Sequence, residues 1–282
     1  RLCPDPAMEL QGRYHQKSCI HARLGMQVRD GSAETGNRMK IEIDTDAQTL
    51  NGDPLYSKES FELLNELQIK VGWQLRYPYT ASWLGFQLLQ IPPDAMRIQE
   101  IICQQRPDFI IETGVAHGGS AIFMASICRL LDVGHVIGVE KGLICREQIE
   151  SHFLSDRITL IEGDSVASDT VAAVYRMCKG SDRIMLILDS CHSKAHVMAE
   201  LDAYYPLIRP GGMIIVQDGN MAILADTPRG DPSWALDNPQ EAVKEFVAKH
   251  PEFVIEQPDL RFDNDGIARN ITYHTKGFLR RI

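Results

Sequence analysis

No two of the seven cysteines stand in a C-x-x-C pair. Cys3, Cys19, Cys103, Cys128, Cys145, Cys178 and Cys191 are odd in number and scattered. That argues against a zinc knuckle and a disulfide framework, and for a reducing compartment, here read as the cytoplasm. Most read as small core residues. Positive charge is also scarce: 29 Lys and Arg against 38 Asp and Glu give a net charge of −9. With no basic run to neutralise phosphates, nucleic acid is not an expected partner. No apolar run is long enough to span a bilayer, so no membrane is expected either. The chain opens Arg1-Leu2-Cys3-Pro4, without the apolar core of a signal peptide and without an initiator methionine. It reads as a trimmed chain, with Met8 a candidate start.

What is present is an ordinary globular composition, 44% hydrophobic and 24% charged over 282 residues, enough for one large domain or two small ones. Residues 1–55 are polar and broken by Gly31-Ser32, Gly36-Asn37 and Asn51-Gly52-Asp53-Pro54. Lys40–Asp44 alternates like one short strand, and the rest reads as an extended arm. A helix is expected from Ser57, its cap, to Val71. After Pro92-Pro93 helix and strand alternate. Apolar runs at Phe109–Ile111, Val136–Val139, Ile158–Ile161, Ile184–Leu188 and Met213–Val216 suit parallel strands covered on both faces. Helices are expected at 95–105, 120–131, 167–178, 195–204 and 239–249. The last is marked by Asn238 as cap, Pro239 at its first position and Glu241 as capping-box partner. Phe253–Glu256 and Ile271–Phe278 read as two final strands, joined without a helix and so antiparallel. The expected fold is α/β: a doubly wound, mostly parallel seven-stranded sheet with an antiparallel C-terminal strand. The expected division is an N-terminal arm and helical appendage at 1–91 and the sheet domain at 92–282.

Five successive strands are expected to finish in a carboxylate: Glu112, Glu140, Asp164, Asp189 and Asp218. Ligands of open parallel sheets bind at the carboxyl ends of the strands, so these acids should ring one cleft. After Glu112 comes Thr113-Gly114-Val115-Ala116-His117-Gly118-Gly119-Ser120, a turn that lets the backbone approach a ligand, with Ser120 a candidate helix cap. It is neither G-x-G-x-x-G nor a P-loop with its lysine, so it suits a cationic or amine end better than a pyrophosphate. Glu140 is placed to take two ribose hydroxyls, and Asp164 to accept from an adenine amino group. Together these read as a pocket for S-adenosylmethionine (SAM). The candidate cofactor residues are Glu112, Gly114, His117, Gly118, Gly119, Ser120, Glu140, Asp164, Ser165 and Asp189. Asp189 and Asp218, with waters and a substrate hydroxyl, suit Mg²⁺. A metal would activate that hydroxyl for methyl transfer. His192 is the candidate base and Lys194 its rival, while His196 reads as a helix-side partner.

The segments Glu112–Ser120, Leu188–Val197, Arg209–Asp218 and Ala268–Arg280 resemble the cephalosporin hydroxylase/rhamnosyl O-methyltransferase family, as do Trp83-Leu84-Gly85 and Leu88-Leu89-Gln90 upstream. The resemblance covers about residues 80–282, in the right order. It implies a class I SAM-dependent methyltransferase, Mg²⁺ dependence, natural-product or glycan hydroxyls as acceptors, and oligomers. The metal arrangement also resembles the catechol O-methyltransferase group. By motif position the metal acids are Asp189 and Asp218. The pattern departs at the third ligand. The family often has an acid where Gln217 stands, and the catechol group has Asn where Gly219 stands. Gln217 can offer a carbonyl oxygen, and Asn220 is a second candidate.

The expected activity is Mg²⁺-dependent O-methyl transfer from SAM to a small natural product or sugar-bearing metabolite. The alternatives are an NAD-dependent oxidoreductase on the same layout, a metal-dependent oxygenase using Asp189, His192 and His196, and a catalytically idle scaffold. Trp73, Tyr77, Tyr79, Trp83 and Trp234 could wall an acceptor pocket or be core. A homo-oligomer, dimer or higher, is expected from the arm and the apolar crowding at 61–91.

Overall fold

A computed structural model describes residues 27–29, 38–263, 266 and 271–282. Cys3, Cys19, Met8 and the breakers Gly31-Ser32 and Gly36-Asn37 lie outside the described residues, as do Ala268, Arg269 and Asn270 of the tail motif. The chain divides into two compact units, Arg1–Tyr56 and Ser57–Ile282.

Within the first unit, Gln27–Arg29 pairs antiparallel with Arg38–Lys40, and Ile43–Asp44, Thr49–Leu50 and Asp53–Pro54 form a three-stranded meander. The described part of the expected arm is thus small sheets. Lys40–Asp44 is not one strand but belongs to two. Asn51 and Gly52 both take positive φ, 51° and 92°, the backbone of a tight two-residue hairpin.

The second unit begins with α1 (Lys58–Gln74), whose cap Ser57 accepts from the Ser60 N–H. A hairpin, Ala81–Trp83 with Phe86–Leu88, leads to α2 (Pro92–Gln105). The prolines open this helix rather than precede it, because the first helical positions need no N–H. Helix α1 and the hairpin belong to the second compact unit, which begins at Ser57.

The sheet strands are β1 (Phe109–Thr113), β2 (His135–Glu140), β3 (Ile158–Glu162), β4 (Ile184–Leu188), β5 (Met213–Val216), β6 (Phe253–Ile255) and β7 (Phe278–Arg281). Their order is β3-β2-β1-β4-β5-β7-β6. The first five run parallel, and β7 is antiparallel to both its neighbours. The expected strand at 271–278 starts only at Phe278. Before it the chain turns from His274 to Gly277 through Lys276 at φ 58°, so its groups are not free for a ladder.

Side chains alternate along each strand. Ile110, Met185, Ile187 and Ile215 face α2, α3 (Gly119–Leu131) and α4 (Arg146–Glu150). Ile111, Leu186, Leu188 and Ile214 face α5 (Ser168–Met177), α6 (Lys194–Tyr204) and α8 (Pro239–Lys249). The Asn238 cap holds the Glu241 N–H, as its sequence signal predicts. A third cluster joins Ile69 of α1 to Leu224 of α7 (Met221–Leu224) and to Tyr273. It covers the carboxyl end of the sheet. Cys128, Cys145 and Cys178 are buried, while Cys191 is exposed. No described helix is long and apolar enough to cross a membrane.

Candidate functional site

Strand order reverses between β1 and β4, and that crevice is where an open α/β sheet binds ligands. A cavity of about 360 Å³ lies there, at the carboxyl ends of β1 to β5. Gly114, Glu140, Asp164, Ser165, Asp189, His192 and Asp218 all line it. The parallel register brings them together: Thr113 pairs with Leu188 and with Val139, and Leu188 with Val216.

Gly114 is the pivot. Its φ is 86°, and a Cβ there would overlap the Asp189 carbonyl. No L side chain fits on both counts. The following turn is held by Glu140, whose Oε2 accepts from the Val115 and Ala116 N–H groups (3.1 and 3.2 Å) and whose Oε1 accepts from Lys141 N–H (2.8 Å). Oε2 is thus filled by two N–H groups, and the acceptor site left is on Oε1. Asp164 pairs with Lys141 Nζ at 2.8 Å and accepts from the Val166 N–H. The lysine beside it holds its carboxyl below the usual range.

Glu112 does not join the ring. Strand β1 runs to Thr113, so Glu112 sits inside the ladder opposite Ile187 and Gly138. With a period of two, one residue turns its side chain from the strand end into the packed face. It is fully buried, and neither oxygen has a close hydrogen bond among the described residues. Burial pushes its carboxyl up to about 8, with the nearby Ser120 hydroxyl opposing and the Glu140 charge adding. Gly118, at φ 82°, is itself the cap of α3, so Ser120 stands in the first turn and does not cap it. Gly119 lies against the Gln87 carbonyl, where a Cβ would overlap, and Gly118 packs on Ile149. His117 is exposed in a separate cleft beside Phe86 and Gln148.

Asp189, His192 and Asp218 each offer a ligand atom within 4.8 Å of the others. His192 Nε2 lies 3.3 Å from Asp218 Oδ2. Burial, and then the charges of Asp218 and Glu112, push the Asp189 carboxyl well up. A cation between the two carboxylates would relieve that repulsion, so Asp189 and Asp218 fit a divalent metal, with His192 beside them. Gln217 is buried with its oxygen accepting from Gln90 Nε2 (3.2 Å), and it does not line the cavity. Asn220 is buried as well. Lys194 turns away: as the first residue of α6 it pairs with Glu245 of α8 at 3.0 Å, on a different groove. His196 is held by Ser165 Oγ (3.1 Å) and by buried Glu200 (3.4 Å), which raises its pKa. It stands with these partners instead of with the Asp189 group, so the facial triad weighed from sequence does not form.

The far wall was not fully legible. Trp73, Pro78, Tyr79, Leu89 and Tyr273 close the cavity. Trp234 packs edge-on against Trp73, and Arg229 lies over its ring at 4.6 Å. Trp83 instead packs on Phe123 and donates to Ser126. Tyr77 borders another cavity, under α1. Aromatic content flagged Trp73 and Tyr79, but nothing local flags Tyr273, Lys141 or Glu200.

A doubly wound sheet with a glycine turn after β1 and acids at the carboxyl ends of the next four strands defines a methyltransferase fold. An apo structure of CmcI shares it with a TM-score of 0.51 at 21% identity, covering 72% of this chain and 77% of that one. A CmcI structure with Mg and SAM matches equally, 0.51 at 20% identity over the same shares. Residues 75–282 match the family described as Rhamnosyl O-methyltransferase/CmcI, and the chain belongs to that family. A Rhamnosyl O-methyltransferase of Mycobacterium leprae (strain TN) is 29% identical over 208 residues, 72% of this chain and 83% of that protein. One of Mycobacterium tuberculosis (strain ATCC 25618 / H37Rv) is 26% identical over 172 residues, 60% of this chain and 67% of that protein.

Proposed function

We propose that the chain transfers the methyl group of SAM to a hydroxyl of a sugar-bearing natural product, with Mg²⁺ held by Asp189 and Asp218. One observation carries this reading. The residues suited to a nucleoside (Glu140, Asp164) and those suited to a metal (Asp189, Asp218) line the same cavity, with an aromatic wall opposite. Names among the relatives point to a hexose acceptor, and flat rings such as Trp73 and Tyr79 suit the apolar face of a sugar or its aglycone.

Glu140 takes a ribose hydroxyl on Oε1, the acceptor site its backbone bonds leave. Gly114 lets the donor lie against bare backbone between β1 and β4. Mg²⁺, when bound, lowers the pKa of the acceptor hydroxyl. His192 takes the proton as the O–H bond breaks; the oxygen forms its bond to the methyl carbon while the sulfur–methyl bond of SAM breaks, its electron pair staying on sulfur and S-adenosylhomocysteine leaving. Lys194 and Gln217 are not retained in these roles, the first committed to Glu245 and the second to Gln90. The aromatic wall excludes water from the reacting oxygen and orients the ring that carries it.

The test is methyl transfer from SAM to rhamnosyl and other glycosyl acceptors, with and without a chelator. Transfer that stops in chelator and returns with Mg²⁺ is expected. Full activity in excess chelator would sink the metal mechanism, and binding of NAD but not SAM would sink the methyltransferase reading itself. The chain is further proposed to act as a homo-oligomer in a reducing compartment. Phe61, Leu64, Val71 and Leu75 of α1 and its cap are exposed, and the described cysteines are free thiols. A monomeric mass by light scattering would refute the assembly.

A further inference from the structure

Asp218 carries a left-handed backbone, φ 55°, which a non-glycine residue keeps only where its surroundings over-determine it. The surroundings here are the 271–277 segment. The Tyr273 carbonyl accepts from the Asn220 N–H at 2.9 Å. Gly219 lies so close to the Thr275 carbonyl that a Cβ would overlap it, and Gly277 lies equally close to the Val216 carbonyl. This segment is not a strand and has no ladder of its own. Its anchor is Asp94, in the first turn of α2, whose Oδ2 accepts from the Tyr273 N–H at 2.8 Å. His274 Nε2 stands 3.7 Å from the same oxygen. Both side chains are buried, Asp94 completely. Taking a carboxylate and an imidazole out of water is costly, and removing one partner leaves the other exposed to that cost. Neither residue lines the cavity. A chain of contacts nonetheless runs from Asp94 through the Tyr273 backbone and Asn220 to the turn that aims Asp218.

We propose that Asp94 and His274 are positioning residues, which fix the turn of the metal acid Asp218 without touching metal, donor or acceptor. The inference rests on the metal reading above, so its test measures the metal directly. Mn²⁺, a paramagnetic stand-in for Mg²⁺, would be titrated into the full chain by electron paramagnetic resonance, with SAM titrated in parallel by calorimetry. Asp94→Ala should weaken Mn²⁺ at least tenfold while SAM affinity stays within twofold, because Glu140 and Asp164 lie across the sheet. Asp94→Asn, which keeps an oxygen for the Tyr273 N–H, should recover part of the loss. Asp94→Asn and His274→Gln carry the comparison should Asp94→Ala fail to fold, each expected to weaken Mn²⁺ threefold or more. Unchanged Mn²⁺ affinity in these variants, or parallel loss of Mn²⁺ and SAM, would overturn the assignment. A wild-type chain that binds SAM but no Mn²⁺ would overturn the metal reading, and this inference with it.

Discussion

Glu112→Gln should make the protein more stable at alkaline pH. The folded-state carboxyl is held at about 8 by burial, against an ordinary 4.5. A group whose pKa is raised on folding contributes stability while it keeps its proton. That contribution is complete below about 4.5 and is lost as pH rises towards 8. The difference corresponds to roughly 5 kcal/mol between the two ends, at about 1.4 kcal/mol per pH unit. Relaxation and water entry reduce such figures, so a gain of about 2–3 kcal/mol is expected for the glutamine variant at pH 8.5. Well below pH 4.5 the gain should vanish, since wild type is protonated there in both states. Asp189 is also raised, and its titration contributes to the wild-type slope. The difference between wild type and variant isolates Glu112, together with the repulsion it adds to Asp189.

The assay is urea unfolding at pH steps from 5 to 9, read by circular dichroism. A stability difference that grows with pH supports the placement of Glu112 inside the ladder. A difference that is flat, or that favours wild type at pH 8.5, would refute it. It would mean that Glu112 reaches solvent or a partner and ionises at its ordinary pH.

Gly114→Ala should cost roughly 2–4 kcal/mol, combining a left-handed alanine with overlap on the Asp189 backbone, measured by the same unfolding. Glu140→Ala should weaken SAM by roughly 1.5–3 kcal/mol, the scale of hydrogen bonds to a charged group, and unchanged affinity by calorimetry would count against the pocket. Asp189→Ala and Asp218→Ala should each remove most of the rate and should not add in combination, while SAM binding survives within a few-fold. Trp73→Ala or Tyr79→Ala should raise the acceptor KM more than it lowers kcat, and a shift confined to SAM would move the aromatic wall to the donor side.

Much of this architecture was legible because its signals are local. The apolar runs ending in acids gave the five parallel strands, and Asn238-Pro239 marked the start of α8 to the residue. Glu140, at the last position of its strand, and Asp164, Asp189 and Asp218, beyond theirs, meet in the cavity. Glu112 was misplaced by a single residue. Nothing in Ile110-Ile111-Glu112-Thr113 says which of the last two closes the ladder, and one step changes the face. Lys194 was misplaced for a related reason. It stands five residues from Asp189 in sequence, but α6 begins at that position and carries its side chain to α8.

The parts that could not be read depend on pairs far apart in the chain. Tyr273, which lines the cavity, has its backbone N–H tied to Asp94, 179 residues earlier. Asp94 itself looks like an ordinary acid in a first turn, favourable to the helix dipole and needing no further account. In the fold it is fully buried, and its Oδ2 accepts from the backbone of the segment that packs on the Asp218 turn. The same logic runs through the site. Asp189 and Asp218 repel one another in the crevice, Asp218 is held in a left-handed backbone, and Gly114 admits no side chain. Each feature costs stability in the free protein, and each is relieved or used once a cation and a positively charged donor fill the cavity. Local strain gathered at one switch point, on a sheet whose other positions follow their pattern closely, is what a sheet built to bind there would be expected to carry.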